Sequence, residues 1–306
     1  MRERTTNVSE LKTKPLARSK EEGLQPLLFA LPDEPLADEV GFTTRLCVAT
    51  TFPHSRPDDN EFTRSSGFYD LCLLSPRRIG LPYGRYPRLL LVWLITEAVR
   101  RKSPQLYLPR SLTQLAYRLG ITPSSGSKGT LAQLREQLHR LVNVTFSCLG
   151  TAPHGRGFSL APAFSEGGGL RPIKRYLLWW DDPPPDSDNR SYILLNDDFY
   201  QEVVAHPIPV SLDAIRNFRS PFEMDIYMWL TWRSLRSLRI QRPEPVSWAA
   251  LKLQFGSDYT ELRSFRFHFL RAVKNVLKLY PAIRVKANRR GLLLLPFPPH
   301  VPRRTR

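Results

Sequence analysis

The chain has 306 residues, 42% of them hydrophobic and 24% charged, a composition typical of a globular protein that can bury real cores. Lys and Arg outnumber Asp and Glu by 45 to 28, and the net charge of +17 favours a polyanionic partner. No stretch is long and apolar enough to cross a bilayer, and residues 1–20 lack the apolar core of a secretory signal. We therefore expect a cytoplasmic protein without a membrane partner.

The N-terminal segment, residues 1–62, predicts a flexible arm with room for one short ordered piece. It is largely polar, and prolines interrupt every periodic pattern within it. These prolines are Pro26, Pro32, Pro35, Pro53 and Pro57.

The next part of the chain predicts a helix, a strand, two further helices and then several strands. Ser111 is placed to cap its second helix, and Gly120 to end it. The patterns predict helices at Arg88–Lys102, Leu112–Leu119 and Thr130–Val142, and strands at Leu106–Leu108, Val144–Leu149, Phe158–Leu160, Tyr176–Trp180 and Tyr192–Leu195.

The last part of the chain repeats this plan. Helices are predicted at Phe222–Leu238 and Trp248–Phe255, with an extended piece around Val246 between them. A basic amphipathic helix and a hairpin-like segment, Ile283–Leu295, complete it. The apolar face of the basic helix carries Leu262, Phe265, Phe269, Val273 and Val276.

An internal duplication is visible as identical residues that recur at one constant separation in the chain. The matching pairs are Trp93 and Trp229, Pro109 and Pro245, Ser111 and Ser247, Leu115 and Leu251, and Gly120 and Gly256. Five coincidences at the same separation indicate a repeated structural unit. In the second helix of each helix pair, the apolar stripes match better when this separation is shortened by one residue.

These patterns predict an α+β protein with two tandem winged-helix domains, each a helix-turn-helix followed by a β-wing. The predicted division is an arm at residues 1–62, a first domain at 63–205 and a second domain at 206–306. We expect the second domain to be the main DNA-binding domain, because residues 239–306 hold 15 Lys and Arg against 3 Asp and Glu. That segment carries +12 of the net charge of +17.

The basic helix and its hairpin supply most of the candidate DNA contacts. Cationic and hydrogen-bonding side chains opposite the apolar face are of the kinds that contact base edges in the major groove. The base-edge candidates are Arg263, Ser264, His268, Arg271 and Asn275. The phosphate candidates in this region are Lys274, Lys278, Arg284, Lys286, Arg289 and Arg290.

The equivalent helix of the first domain is less suited to DNA. It carries Gln133, Glu136 and Arg140 where the second carries His268, Arg271 and Asn275, and a glutamate repels phosphate. We therefore expect the first domain to mediate self-association and accessory phosphate contacts. The candidates for those contacts are Lys128, Arg135 and Arg140.

Phe267 also falls on the basic face of the second-domain helix. Two explanations are open: the ring contacts a thymine methyl group, or it packs against a neighbouring loop.

The sequence carries no recognisable catalytic, metal or cofactor site. Enzymes that nick DNA need a His-hydrophobic-His metal site, and no two of the six histidines are two residues apart. The run Gly126–Thr130 departs from the spacing of a phosphate-binding loop and follows a helix instead of a strand. We expect a protein that acts by binding, without a cofactor.

The run from Arg64 to Pro104, RSSGFYDLCLLSPRRIGLPYGRYPRLLLVWLITEAVRRKSP, resembles the RepA-type plasmid replication initiators of bacteria. The likeness extends through Leu119-Gly120 and the turn Ser124–Gly129, and it continues weakly to Phe222–Leu230 and the last helix-turn-helix. It implies a protein that binds repeated sequences (iterons) in double-stranded origin DNA, helps to open the duplex and recruits the host initiator and helicase. Regulation of its own promoter and exchange between monomer and homodimer are also implied.

Two other functions share these sequence features. A winged-helix transcriptional repressor would carry every motif and lack only origin activity. A structural RNA-binding protein would share the charge, but side chains cannot enter the deep major groove of duplex RNA.

Overall fold

The computed structural model of the chain describes residues 39–49, 51–65, 69–150, 169–178, 191–256 and 259–302. Most of the predicted N-terminal arm and the predicted strand Phe158–Leu160 lie outside these residues. No helix within them is long and apolar enough to span a membrane.

The elements up to residue 195 are β1 (Val40–Thr43), α1 (Arg45–Ala49), β2 (Glu61–Ser65), β3 (Tyr69–Leu74), α2 (Arg85–Arg101), β4 (Gln105–Tyr107), α3 (Leu112–Arg118), α4 (Thr130–Asn143), β5 (Thr145–Gly150), β6 (Gly169–Leu170), β7 (Ile173–Leu177) and β8 (Tyr192–Leu195). The later elements are α5 (Asp197–Ala205), β9 (Ile208–Ser211), α6 (Leu212–Asn217), α7 (Pro221–Ile240), β10 (Glu244–Ser247), α8 (Trp248–Phe255), α9 (Leu262–Leu279), β11 (Val285–Ala287) and β12 (Gly291–Leu294).

Two sets of elements follow the same order. The first unit, residues 85–195, contains α2, β4, α3, α4, β7 and β8, and the second unit, residues 221–294, contains α7, β10, α8, α9, β11 and β12. In each unit the strands form an antiparallel sheet with the last strand in the middle, in the orders β4-β8-β7 and β10-β12-β11. The first unit also inserts β5 and β6 between α4 and β7, and these strands extend a four-stranded sheet, β2-β3-β5-β6.

Residues matched by the duplication have largely the same local role in the two units. Ser111 and Ser247 each accept a hydrogen bond from the backbone amide three residues later and so cap α3 and α8. Gly120 and Gly256 differ, because φ is +68° at Gly120 and negative at Gly256. Only the first of these turns therefore requires the left-handed conformation that favours glycine.

The third helix of each unit buries matching positions of its apolar stripe. The stripe residues are Leu134, Leu138 and Leu141 in α4 and Phe269, Val273 and Val276 in α9, all at most 3% exposed. In each of these three pairs, the two residues are one residue closer in the sequence than in the five identical pairs. The structure therefore buries the matching positions that helical periodicity predicts.

Part of the predicted flexible arm is regular structure. Strand β1 pairs antiparallel with β9, in the register Val40 to Ser211 and Thr43 to Ile208. Phe42 also donates its backbone N–H to Thr96 Oγ1 in α2, over 2.9 Å. Local pattern could not show this pairing, because the partner strand lies in the second half of the chain. β1 therefore ties the predicted arm to both predicted domains.

A buried ion pair joins the first helices of the two units. In α2, Arg88 donates Nε–H to Asp225 Oδ1 over 2.6 Å and Nη2–H to Asp225 Oδ2 over 2.7 Å. Arg88 also donates to the carbonyl oxygens of Phe52 and Gly84, so the guanidinium is held from several directions. His54 Nε2 lies 2.9 Å from Asp225 Oδ2 and donates to it.

Burial shapes the titration of this cluster. Burial alone would raise the pKa of the Asp225 carboxyl, but the charge and hydrogen bonds of Arg88, together with His54, hold that pKa below its usual value. Burial lowers the pKa of His54 below its ordinary 6.5, although the hydrogen bond to Asp225 acts in the opposite direction. Asp225 is therefore charged and His54 neutral at pH 7.

Breaking the ion pair on one side should destabilise the fold strongly. We expect Asp225→Leu or Arg88→Met to lower the free energy of unfolding by about 3–5 kcal/mol, because the remaining charge stays buried without its partner. The double variant Arg88→Met/Asp225→Leu should recover much of that loss, since neither charge is then buried. Urea unfolding of the three variants tests this, and additive losses in the double variant would contradict it.

The lowered pKa of His54 predicts a loss of stability in mild acid. A group with a lower pKa in the folded state binds fewer protons there, so its contribution is complete above the unfolded pKa of 6.5 and is lost as the pH falls below it. We expect the free energy of unfolding to fall less between about pH 7.5 and about pH 5.5 in His54→Gln than in the wild type. The same slope in both proteins would show that His54 does not carry the effect.

Candidate nucleic-acid interface

Helix α9 is the centre of the candidate DNA-binding surface, and its apolar face fixes its orientation. Phe265, Phe269, Ala272, Val273 and Val276 are buried on that face. The Phe269 ring packs within 6.0 Å, centre to centre, of the rings of Trp248 and Phe255 in α8. Because this face is occupied by the core, the opposite face of α9 is left to solvent.

The exposed face is rotated slightly from the one that periodicity predicts. Arg263, Ser264, Arg271, Lys274 and Lys278 are exposed, as the sequence predicts for DNA contacts. His268 and Asn275 are only partly exposed. The exposed row therefore runs along the helix from Arg263 to Lys278 and leaves these two residues at its border.

His268 supports Arg271. Its ring lies between the rings of Tyr259 and Phe267, with both ring centres at 5.3 Å. Its Nδ1 is 3.1 Å from Nη2 of Arg271, and because a guanidinium can only donate, Nδ1 accepts this hydrogen bond. This contact restricts the orientation of Arg271 on the exposed face.

Asn275, a predicted base-edge contact, is partly exposed and is engaged within the protein. Its Nδ2 donates to Glu223 Oε1 of α7 over 2.6 Å, and its Oδ1 accepts from Lys278 Nζ over 3.0 Å. An asparagine that recognises adenine needs both its donor and its acceptor for the base. Asn275 therefore links α9 to α7, through a partner that lies 52 residues earlier in the sequence.

The hairpin β11–β12 presents a basic turn that is anchored to α8. Asn288 Oδ1 accepts from the backbone amides of Arg290 and Gly291, over 2.8 and 3.0 Å. Trp248 Nε1 donates to the carbonyl oxygen of Asn288 over 2.9 Å. A Cβ at Gly291 would overlap the Val246 carbonyl oxygen, so only glycine fits where the hairpin meets β10.

Four cationic side chains of this hairpin region are exposed. They are Arg284, Lys286, Arg289 and Arg290, the residues that the sequence predicts as phosphate contacts. Sequence reasoning did not predict Trp248 as a site residue. The only signal for it in the sequence is its place directly after Ser247, the N-cap of α8. Its indole holds the hairpin turn on one side and lies 5.1 Å from the Arg266 guanidinium on the other.

In the first unit, Lys128 and Arg135 are exposed near the start of α4. The turn that carries Lys128 is closed by paired hydrogen bonds between Ser124 and Thr130, over 2.8 and 2.9 Å. The backbone of Lys128 also accepts a hydrogen bond from Gln133. Hydrogen bonds therefore hold the backbone of the turn that carries the Lys128 ammonium group.

Arg140 is buried, which corrects its assignment as a phosphate contact. It is 7% exposed, and its Nε and Nη2 donate to Glu136 Oε1 over 3.1 and 2.8 Å. Its Nη1 donates to the Leu81 carbonyl oxygen over 3.0 Å, and its guanidinium lies 5.4 Å from the centre of the Tyr83 ring. Arg140 therefore ties α4 to the segment before α2, a contact that helical periodicity cannot show.

Comparison with known proteins agrees with this architecture. A sequence model of the family described as plasmid encoded RepA protein matches residues 81–248, more than half of the chain. A search of curated protein sequences found no match.

Among solved structures, the crystal structure of domains 2 and 3 of RctB is similar at a TM-score of 0.53 and 13% identity. The similarity covers 84% of this chain and 97% of the RctB chain. A second structure of RctB domains 2–3 gives a TM-score of 0.47 at 13% identity, covering 80% of this chain and 92% of that one. The first likeness concerns the fold, and it spans both units.

The family match over residues 81–248 places the chain in the replication-initiator class, and its architecture of helices and small antiparallel sheets agrees with this. The chain belongs to the family of plasmid-encoded RepA proteins. The family resemblance that was visible between Arg64 and Pro104 is thereby confirmed.

Replacing Arg140 and Arg135 in turn should separate a structural arginine from an accessible one. We expect Arg140→Ala to lower the free energy of unfolding by about 1–3 kcal/mol, because the buried Leu81 carbonyl loses its donor. Arg135→Ala should change it by less than about 0.5 kcal/mol, as is usual for exposed positions. Urea unfolding measures both, and a stability loss confined to Arg135→Ala would overturn the assignment.

Proposed function

We propose that this chain initiates plasmid replication by binding repeated sequences in double-stranded origin DNA. Duplex opening next to the repeats and recruitment of the host initiator and helicase would follow. The observation that carries the proposal is the exposed cationic row of α9, which stands beside the exposed arginines of the 288–290 turn in a RepA family member. Two groups of cations on one unit can contact the phosphates on the two sides of a DNA groove.

Each unit is best interpreted as a winged helix. The helix, strand, helix, helix and two-strand order is that of a helix-turn-helix followed by a wing, and α9 takes the place of the recognition helix. In this interpretation Arg263, Ser264 and Arg271 contact base edges, while His268 positions Arg271. Cations near the end of α9 and in the hairpin contact phosphates.

The two units would have different functions. The α4 face of the first unit presents Glu136, paired with Arg140, at the position of Arg271 in the second. Because Arg140 is paired with Glu136, the α4 surface has one cation fewer for contact with phosphate. This supports a role for the first unit in self-association, including exchange between monomer and homodimer. Lys128 and Arg135 would add phosphate contacts of lower importance.

The proposed mechanism is binding and deformation of DNA, without covalent catalysis or a cofactor. Several repeats bound side by side would bend the origin and favour opening of an adjacent A·T-rich segment. The same sites near its own gene would allow the protein to regulate its own promoter. A transcriptional repressor with the same surface would bind such sites without supporting replication from the origin.

Two arginines on the surface should respond differently to substitution. The bound sites are first located by footprinting on the DNA around the gene for this chain. We expect Arg271→Ala to cost about 1–3 kcal/mol on the cognate site and to relax the preference at one base pair. Arg290→Ala should instead weaken binding to cognate and random DNA alike and reduce the salt slope by about one unit.

Both variants keep the fold, since the two side chains are exposed and contribute to neither core. Binding measured over a range of salt concentrations, on cognate and random duplexes, distinguishes the two roles. Equal losses on both duplexes for Arg271→Ala would remove its base-recognising role. An origin-dependent replication assay with the same variants separates an initiator from a repressor.

A further inference from the structure

Helix α9 exposes a large aromatic ring in the middle of its cationic row. Phe267 is 65% exposed, and it lies one turn after Arg263 and one turn before Arg271. Leaving such a ring in water forgoes the free energy that its burial would supply. An exposed apolar side chain inside a binding surface therefore points to an apolar group on the partner.

Within the described residues, no loop covers the Phe267 ring. Its ring contacts there are with the helix itself: the His268 ring meets it edge to face at 86°, and the Arg271 guanidinium is 6.0 Å from its centre. Of the two explanations open from the sequence, packing against a loop is thus not supported by these contacts. The two neighbours also restrict the ring, so its outer face is presented in a defined position.

The major groove offers one apolar group at a base edge, the C5 methyl group of thymine. Phosphates and the remaining base edges are polar, and dehydrating them against a phenyl ring without replacing their hydrogen bonds would cost free energy. Phe267 is also in the second turn of α9, and the N-terminal residues of a recognition helix are those that contact base edges.

We propose that Phe267 contacts a thymine methyl group and makes the second unit selective for thymine at one position of its site. This inference rests on the proposed DNA-binding function and adds a specificity residue to it. Arg263 and Arg271, one turn away on either side, would contact the flanking polar edges.

The test removes the methyl group from the DNA and the ring from the protein. In the footprinted site, each thymine is replaced singly by deoxyuridine, which differs only by that methyl group. We expect one replacement to weaken binding of the full-length wild type about fourfold, the value of one buried methyl group. Phe267→Ala should bind the thymine and uracil sites equally, while Phe267→Leu should keep part of the difference.

Tyr117→Ala is the matched control, because Tyr117 is an equally exposed ring, 67% accessible, in the first unit. This variant should keep the full fourfold discrimination at the same position. Wild-type protein that is insensitive to deoxyuridine at every position would overturn the inference, and so would Phe267→Ala that still discriminates. In either case sequence-specific binding would stand, whereas equal affinity for cognate and random duplexes would overturn the proposed function itself.

Discussion

The arrangement of the two units depends on the buried ion pair between Arg88 and Asp225. Both side chains are at most 3% exposed, so their charges are stabilised by each other and by the groups around them. The carbonyl oxygens of Phe52 and Gly84 and the ring of His54 complete the contacts. Because each charge would be costly to bury alone, helices α2 and α7 are strongly favoured in the one arrangement that pairs them. The geometry of any surface formed by both units therefore depends on this ion pair.

The two units keep the same interior and differ on the surface. Leu134 and Phe269 are fully buried at matching positions of α4 and α9, and the serine caps of α3 and α8 are made in the same way. On the outside, α4 exposes Glu136, which is paired with the buried Arg140, whereas α9 exposes Arg271 at the matching position. Interior positions are constrained by packing density, while surface positions are free to serve different partners. A repeated fold can in this way support two roles.

The candidate DNA surface is organised by residues that are buried or only partly exposed. Trp248 holds the hairpin turn through the Asn288 carbonyl oxygen, and Glu223 holds Asn275 at the border of the α9 row. His268 restricts Arg271 in the same way. Side chains that are positioned before binding lose less conformational entropy when they meet a rigid duplex. Such support is what a basic helix needs in order to discriminate between sequences as well as attract phosphate.

The sequence alone determined what depends on neighbouring residues. Helix α8 lies at its predicted bounds, and Ser111 and Ser247 are caps. The stripes of α4 and α9 are buried except for Leu262, which is exposed at the start of α9, and the basic residues of the 288–290 turn are exposed. These features could be predicted because caps and periodicity are local properties. Tertiary structure alone decided the pairing of β1 with β9, the burial of Arg140 and the engagement of Asn275 with Glu223. Each of those depends on a partner that is distant in the sequence, and no local pattern records which distant group a side chain will meet.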